Sequence, residues 1–224
     1  MRAFGLDTCN QVAGPDGAVP QEQFAWLEAG LQQAQADGKL ALVFSHHNST
    51  TLENGAELAT GPSQRLIHAE EFVGMLLRYP AMIAWVNGHT HINTILAHRS
   101  DDGSRGFWEI TTASCIDFPQ QQVIEVVDNR DGTLSIFTTV LDHASPAEWN
   151  GDLTPVGLAA LSRQLSANDW VEFPAMRLGS EMDRKCELLL PAPFDMSAIT
   201  DAMVEFAQAA DRARIVAYEQ GWAT

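Results

Sequence analysis

The sequence predicts an α/β fold in which a pair of mixed sheets is flanked by helices. Three observations predict it. Short, fully apolar runs ("LALVF", "MIAWV") alternate with segments whose apolar residues recur at helical spacing. Strand-like stretches separated by turn residues follow them. Each of the two apolar runs is followed at once by a pair of histidines, in "SHH" and "GHTH". Such side chains, just past a strand end, lie where open α/β sheets bind ligands.

In chain order, "RAFGLDT" reads as a short buried strand and "AGPDGAV" as a turn. Pro20 suits the first turn of a helix, Phe24, Leu27 and Leu31 share one face of it, and Gly38 suits its stop. "LALVF" is a buried strand and residues 48–64 are a polar loop. "QRLIHAEEFVGMLLRYP" reads as a helix that ends before Pro80, and "MIAWV" as a second buried strand. "NTILAHR", "GFWEITTAS", "QQVIEVVD" and "TLSIFTTVLD" then read as an antiparallel meander, with turn chemistry in "SDDGSRG" and "NRDG". The texture changes after residue 150. Residues 1–150 carry the α/β unit, and 151–224 form a mainly helical C-terminal extension. In the extension Thr154 is an N-cap with Pro155 behind it, and "CELLLPAPF" is a short apolar run with two prolines. A long amphipathic helix ends near Gly221.

The 224 residues are 46% hydrophobic, enough for a real core. Against 13 Lys and Arg stand 29 Asp and Glu, a net charge of −16. That field repels nucleic acid and anionic membrane surfaces, so neither is expected as a partner. Anionic substrates are disfavoured too, unless bound cations invert the local potential. Cys9, Cys115 and Cys186 lie far apart and read as small core residues rather than a disulfide framework or a cysteine metal site. No apolar run reaches the ~18 residues of a membrane span. The first ten residues have no apolar signal core, so the chain as it stands reads as cytoplasmic. The start is abrupt: a strand begins with no turn or cap before it, and a longer natural chain is expected.

Neutral imidazole is a common ligand of divalent transition metals. In "GHTH" the two histidines are at i and i+2, so an extended backbone projects both to one face, toward one ion or two. Gly88 lets the backbone turn tightly beside them. His68, His98 and His143 read as ordinary polar residues of a helix, a strand end and a loop.

"VFSHH" followed by "VNGHTH" resembles the last two sequence blocks of the calcineurin-like metallophosphoesterases. "LDT" after a strand, "DGAVPQEQFAWLEAGL", "ITTASCIDFPQQ" and "LGSEMDRKCELLLP" look like one actinobacterial-type branch of that family. The resemblance implies an αββα sandwich with helices outside and a two-metal centre at the strand ends, holding divalent ions such as Mn, Fe or Zn. It makes His46 and His89 ligands of one metal and His91 a ligand of the other. His47 matches no ligand; a role beside the metal or toward substrate is open to it. Asn48 stands where many relatives have proline. The implied activity is hydrolysis of phosphate esters, a small-molecule substrate class, with the metals lowering the pKa of a bridging water.

The family's first blocks, DxH, GDxxD and GNH[DE], do not occur in the sequence. The chain therefore looks like the C-terminal half of the fold, without the bridging aspartate, an asparagine ligand or the histidine that serves the leaving group. Three imidazoles without anionic partners hold a dinuclear centre poorly, so the chain is expected to bind one metal weakly and to be inactive alone. Glu53, Glu57 and Asp117 are the nearby acids that could substitute. Uncovered strand edges point to a homo-oligomer or a complementing N-terminal half as partner. The alternative reading is a truncated, non-catalytic binding or interaction module. A zinc hydrolase of another class is the third, but no HExxH is present. The resemblance also implies that complete relatives carry export signals.

Overall fold

The computed structural model describes residues 1–10, 14–55, 65–114, 123–141, 143–168 and 177–222. Strand β1 (Arg2–Gly5) leads to the two-residue strand β2 (Val19–Pro20) and helix α1 (Gln21–Ala36). Strand β3 (Ala41–Phe44) and the short β4 (Leu66–Ile67) precede helix α2 (Ala69–Leu76). Strands β5 (Met82–Asn87), β6 (Thr94–Arg99), β7 (Gly106–Thr111), β8 (Val123–Asp128) and β9 (Thr133–Thr139) follow. Helix α3 (Pro155–Ser166), a 3₁₀ turn (Glu181–Asp183), strand β10 (Cys186–Pro191) and helix α4 (Asp201–Trp222) complete the chain.

The architecture is α/β with mixed sheets. A five-stranded sheet has the order β1-β3-β5-β7-β6. Its first four strands run parallel, and β6 returns antiparallel along β7. A three-stranded antiparallel sheet has the order β10-β9-β8, and β2 pairs with β4 in a small antiparallel ribbon.

Two apolar clusters lie on opposite faces of the large sheet. On one face, Phe24, Leu27 and Leu31 of α1 and Phe72, Met75 and Leu76 of α2 meet Val43, Met82 and Trp85. On the other, Ile83, Ala84 and Ile110 meet Leu134, Ile136, Leu188 and Leu190 of the small sheet. The β3–β5 register slips between Ala41 and Leu42, which pair with Met82 and Ala84. This bulge lets Ile83 and Ala84 both join the second cluster while Met82 and Trp85 join the first.

Three local expectations are revised. The segment read as one helix from Gln64, itself outside the described residues, splits: Leu66–Ile67 is a strand paired with β2, and the helix starts only at Ala69. The four strands read as a meander divide between sheets: β7 crosses over to pair parallel with β5, and β8 and β9 belong to the small sheet. The first six residues of the apolar run with two prolines, Cys186–Pro191, form β10, which pairs along its whole length with β9. Its edge position tolerates Pro191, which has no N–H to donate. The start of α3 follows expectation, with Thr154 Oγ1 accepting from Gly157 N–H at 3.3 Å. No helix among the described residues is long and apolar enough to cross a membrane.

Candidate metal centre

All four parallel strands end at one edge of the large sheet, and the candidate site is built from the loops there. The loop after β3 carries His46 and His47, and the loop after β5 carries His89 and His91. Because β3 and β5 are parallel neighbours, the two loops emerge side by side. Pairing continues past the strand ends: Ser45 N–H donates to Val86 O at 3.1 Å and Gly88 N–H to His46 O at 3.0 Å. The loop after β1 closes the third side through Thr8 and residues 14–17.

His46, His47 and His89 form a group whose ring nitrogens lie within 4.8 Å of one another, a set that could hold a metal ion. His46 Nε2 faces His89 Nδ1 at 3.0 Å, with the rings edge to face. Two imidazole nitrogens on one tetrahedral zinc lie about 3.3 Å apart, so a shift of a few tenths of an ångström would admit an ion. The same two lone pairs can share one proton or face one ion.

His47 is held differently. Thr8 Oγ1 accepts from the His47 backbone N–H at 3.2 Å and donates to Nδ1 at 2.8 Å. Nε2 therefore carries the ring proton and donates it to Pro15 O at 2.8 Å. Both ring nitrogens are engaged, and the ring is buried at 3% exposure. His47 thus packs against the pair with its own valences filled. Gly17 lies flat on this ring: a Cβ there would stand 2.3 Å from His47 Cγ.

The "GHTH" segment is not extended. His89 has φ +70° and His91 φ +57°, both in the left-handed region that side chains rarely adopt. Thr90 N–H donates to Gly88 O at 2.9 Å, closing a tight three-residue turn around His89. The turn aims the His89 ring at His46. It leaves His91 outside the group of three.

Burial, then the repulsion that protonated forms of His47 and His91 would exert, holds His46 below the usual histidine value. Burial, then His47 and His46, does the same to His89, and Asp16 opposes it. Both shifts favour the neutral form that a metal requires.

Among the described residues no carboxylate belongs to the group. Glu53 is exposed, and Glu57 and Asp117 lie outside the described residues. His68 Nε2 is 3.3 Å from Asn54 O, and His143 is bonded to Ser145; neither belongs to the group.

His98 is more than a polar strand-end residue: its Nε2 meets Glu109 Oε2 at 2.6 Å. Sequence reasoning overlooked Glu109, Thr8, Pro15 and Gly17. Glu109 had left a signal, a lone acid inside the apolar strand "GFWEIT". Thr8, Pro15 and Gly17 act through a tertiary approach that no local pattern records. No protein-family model matches the chain, and no curated protein matches it either.

Proposed function

We propose that His46 and His89 bind one divalent transition-metal ion, and that the centre serves hydrolysis of phosphate esters as in the calcineurin-like metallophosphoesterases that "SHH" and "GHTH" resemble. The observation that carries the reading is the 3.0 Å approach of His46 Nε2 to His89 Nδ1 from two separate strand ends. A bound ion supplies Lewis-acid polarisation of the phosphoryl oxygen and a more acidic water. The chain's own residues do the rest. His46 and His89 present ring nitrogens whose neutral form burial favours. His47, locked by Thr8 and Pro15, packs its ring against both of them, 4.8 Å and 4.5 Å away between centroids. The resemblance assigns His91 to the other metal of the pair. An imidazole set with no anionic partner suits Zn, Fe or Mn in that order of ligand softness.

The test has two stages. Titration with Co²⁺ or Zn²⁺ is expected to show one site, lost in H46Q and H89Q and kept in H91Q. Hydrolysis of an aryl phosphate with Mn²⁺ is then measured for the chain alone and with the complementing half of the family fold. Turnover appearing only on complementation supports the reading. Absence of a histidine-dependent site overturns it.

One observation favours a second reading. The described group has no carboxylate, and two-metal hydrolases bridge their ions with one. A metal-binding module without turnover is therefore the alternative, and its signature is a Co²⁺ site that stays inactive in every complex.

A further inference from the structure

Glu109 lies in the middle of β7 with 0% exposure, a rare place for a carboxylate. Burial alone would push its proton affinity up. The bonds from His98, Ser49 and Asn87 outweigh that and hold it below the ordinary glutamate range. Its Oε1 accepts two of them. Ser49 N–H donates at 2.7 Å, and Asn87 Nδ2 donates at 2.8 Å. Ser49 follows His46 by three residues in one loop, and Asn87 precedes His89 by two at the mouth of the other. A single oxygen therefore ties the two histidine loops together from beneath. Asn87 cannot turn away, because its Oδ1 accepts from Thr111 Oγ1 at 2.6 Å. The second carboxylate oxygen is held by His98 Nε2, whose ring stacks on Phe107 at 4.8 Å.

A sheet core does not need such a group. Replacing a buried ionic network with apolar residues of like volume is often neutral or stabilising, so the network points to geometry rather than to stability. We infer that Glu109 is the positioning residue of the histidine pair: by holding Ser49 and Asn87 on one oxygen it sets the separation of His46 Nε2 and His89 Nδ1, and with it the affinity for a divalent transition-metal ion. The inference rests on the metal reading above and adds to it the control of ligand spacing. Residues that orient ligands from behind typically change affinity about 10- to 100-fold when removed.

The experiment titrates the full chain with Co²⁺ and follows the visible ligand-field band, alongside thermal unfolding. In E109A the affinity is expected to fall about 10- to 100-fold with a changed band. E109Q keeps an oxygen that both loops can reach and is expected to stay within a few-fold of the native chain. I136A, in the core on the opposite face of the sheet, is the control: its melting temperature falls and its Co²⁺ affinity stays. If E109A does not fold, N87A removes one of the two arms and carries the same expectation. Native affinity in E109A or N87A overturns the inference, as does an equal loss in I136A, or a loss in E109Q as large as in E109A. If the native chain takes up no Co²⁺, the metal reading fails and the positioning role is read without metal, from imidazole ¹⁵N shifts. E109A is then expected to move the His46 and His89 signals and leave His68 in place; unmoved His46 and His89 signals overturn it.

Discussion

At the scale of single residues, the site depends on how tightly His47 is held, and Gly17 controls that. Its backbone is not in the left-handed region, so alanine brings no conformational strain there. The cost is steric, since the new Cβ would meet His47 Cγ and Nδ1 at 2.3 Å. Gly17→Ala is expected to displace the ring, break the Thr8–His47–Pro15 chain, destabilise the protein by about 1–3 kcal/mol and weaken Co²⁺ binding. Thermal unfolding and titration check both, and a native-like melting point would refute it. A second prediction follows from the lowered pKa values of His46 and His89. An unfolded histidine titrates near its usual 6.5, above the folded values of these two. Between the two values the unfolded chain binds protons that the folded chain refuses. Stability of the metal-free protein is then full above 6.5 and falls as pH drops through it. The H46Q/H89Q double variant is expected to flatten that slope in urea midpoints measured at about pH 7.5 and about pH 5.5, and an unchanged slope would count against the shifts. At this scale the two histidine pairs were legible from their place just past apolar strands, and it was the family resemblance that singled out His46, His89 and His91 as ligands. The sequence could not reveal that both histidines of "GHTH" sit at positive φ, because the turn closed by Thr90 N–H on Gly88 O is also seated by Gly88 N–H on His46 O of the neighbouring loop, a tertiary contact.

At the scale of elements, what was legible tracks what is local. The apolar runs of β3 and β5, the helical face of α1 and the capped start of α3 are written in consecutive residues, and each forms as read. Partners were not legible. Leu66–Ile67 carries an apolar pattern that suits a helix start, yet pairing with Val19–Pro20 turns it into a strand. β7 looks like a meander strand, but its parallel seat beside β5 depends on a crossover. β10 hid behind two prolines, and pairing with β9 overrides that composition. The region after residue 150 thus supplies a strand to the small sheet, with Leu188 and Leu190 in the shared core. Helix α4 is the contrast: residues 201–210 are all exposed, and Arg130 tethers its start through Ile199 O and Asp201 Oδ1. For α3 the cap gives a quantitative test. Thr154→Ala removes the acceptor for Gly157 N–H and is expected to cost about 1 kcal/mol, read from urea unfolding at constant slope. A loss below about 0.3 kcal/mol would show that the cap does not hold α3.

At the scale of the whole molecule, the net charge of −16 adds a long-range term to the stability. With 29 acidic against 13 basic side chains, like-charge repulsion outnumbers attraction. The ion pairs that oppose it, such as Arg65–Glu71 and Arg2–Asp37, join partly exposed side chains. Such pairs are each worth about 0–1 kcal/mol and are themselves screened by salt. Two effects of salt therefore compete: it weakens a few short pairs and a larger field of repulsion. The repulsion acts over longer distances, where screening is most effective, because the Debye length falls from about 30 Å at 0.01 M to about 8 Å at 0.15 M. Repulsion should win. The melting temperature is expected to rise as sodium chloride goes from about 10 mM to about 150 mM, steeply at first and then level once the Debye length is shorter than the spacing of surface charges. Potassium chloride should give the same curve, which separates screening from a specific ion. The same field acts on the proposed chemistry. A phosphate ester approaches a strongly acidic chain, so in the complemented protein, where turnover is expected, kcat/KM for an anionic aryl phosphate should rise over the same salt range, while that for a neutral aryl ester cleaved at the same centre should not. A melting temperature that falls with salt would mean that the short pairs outweigh the net charge, and the repulsive account of this protein's surface would be wrong.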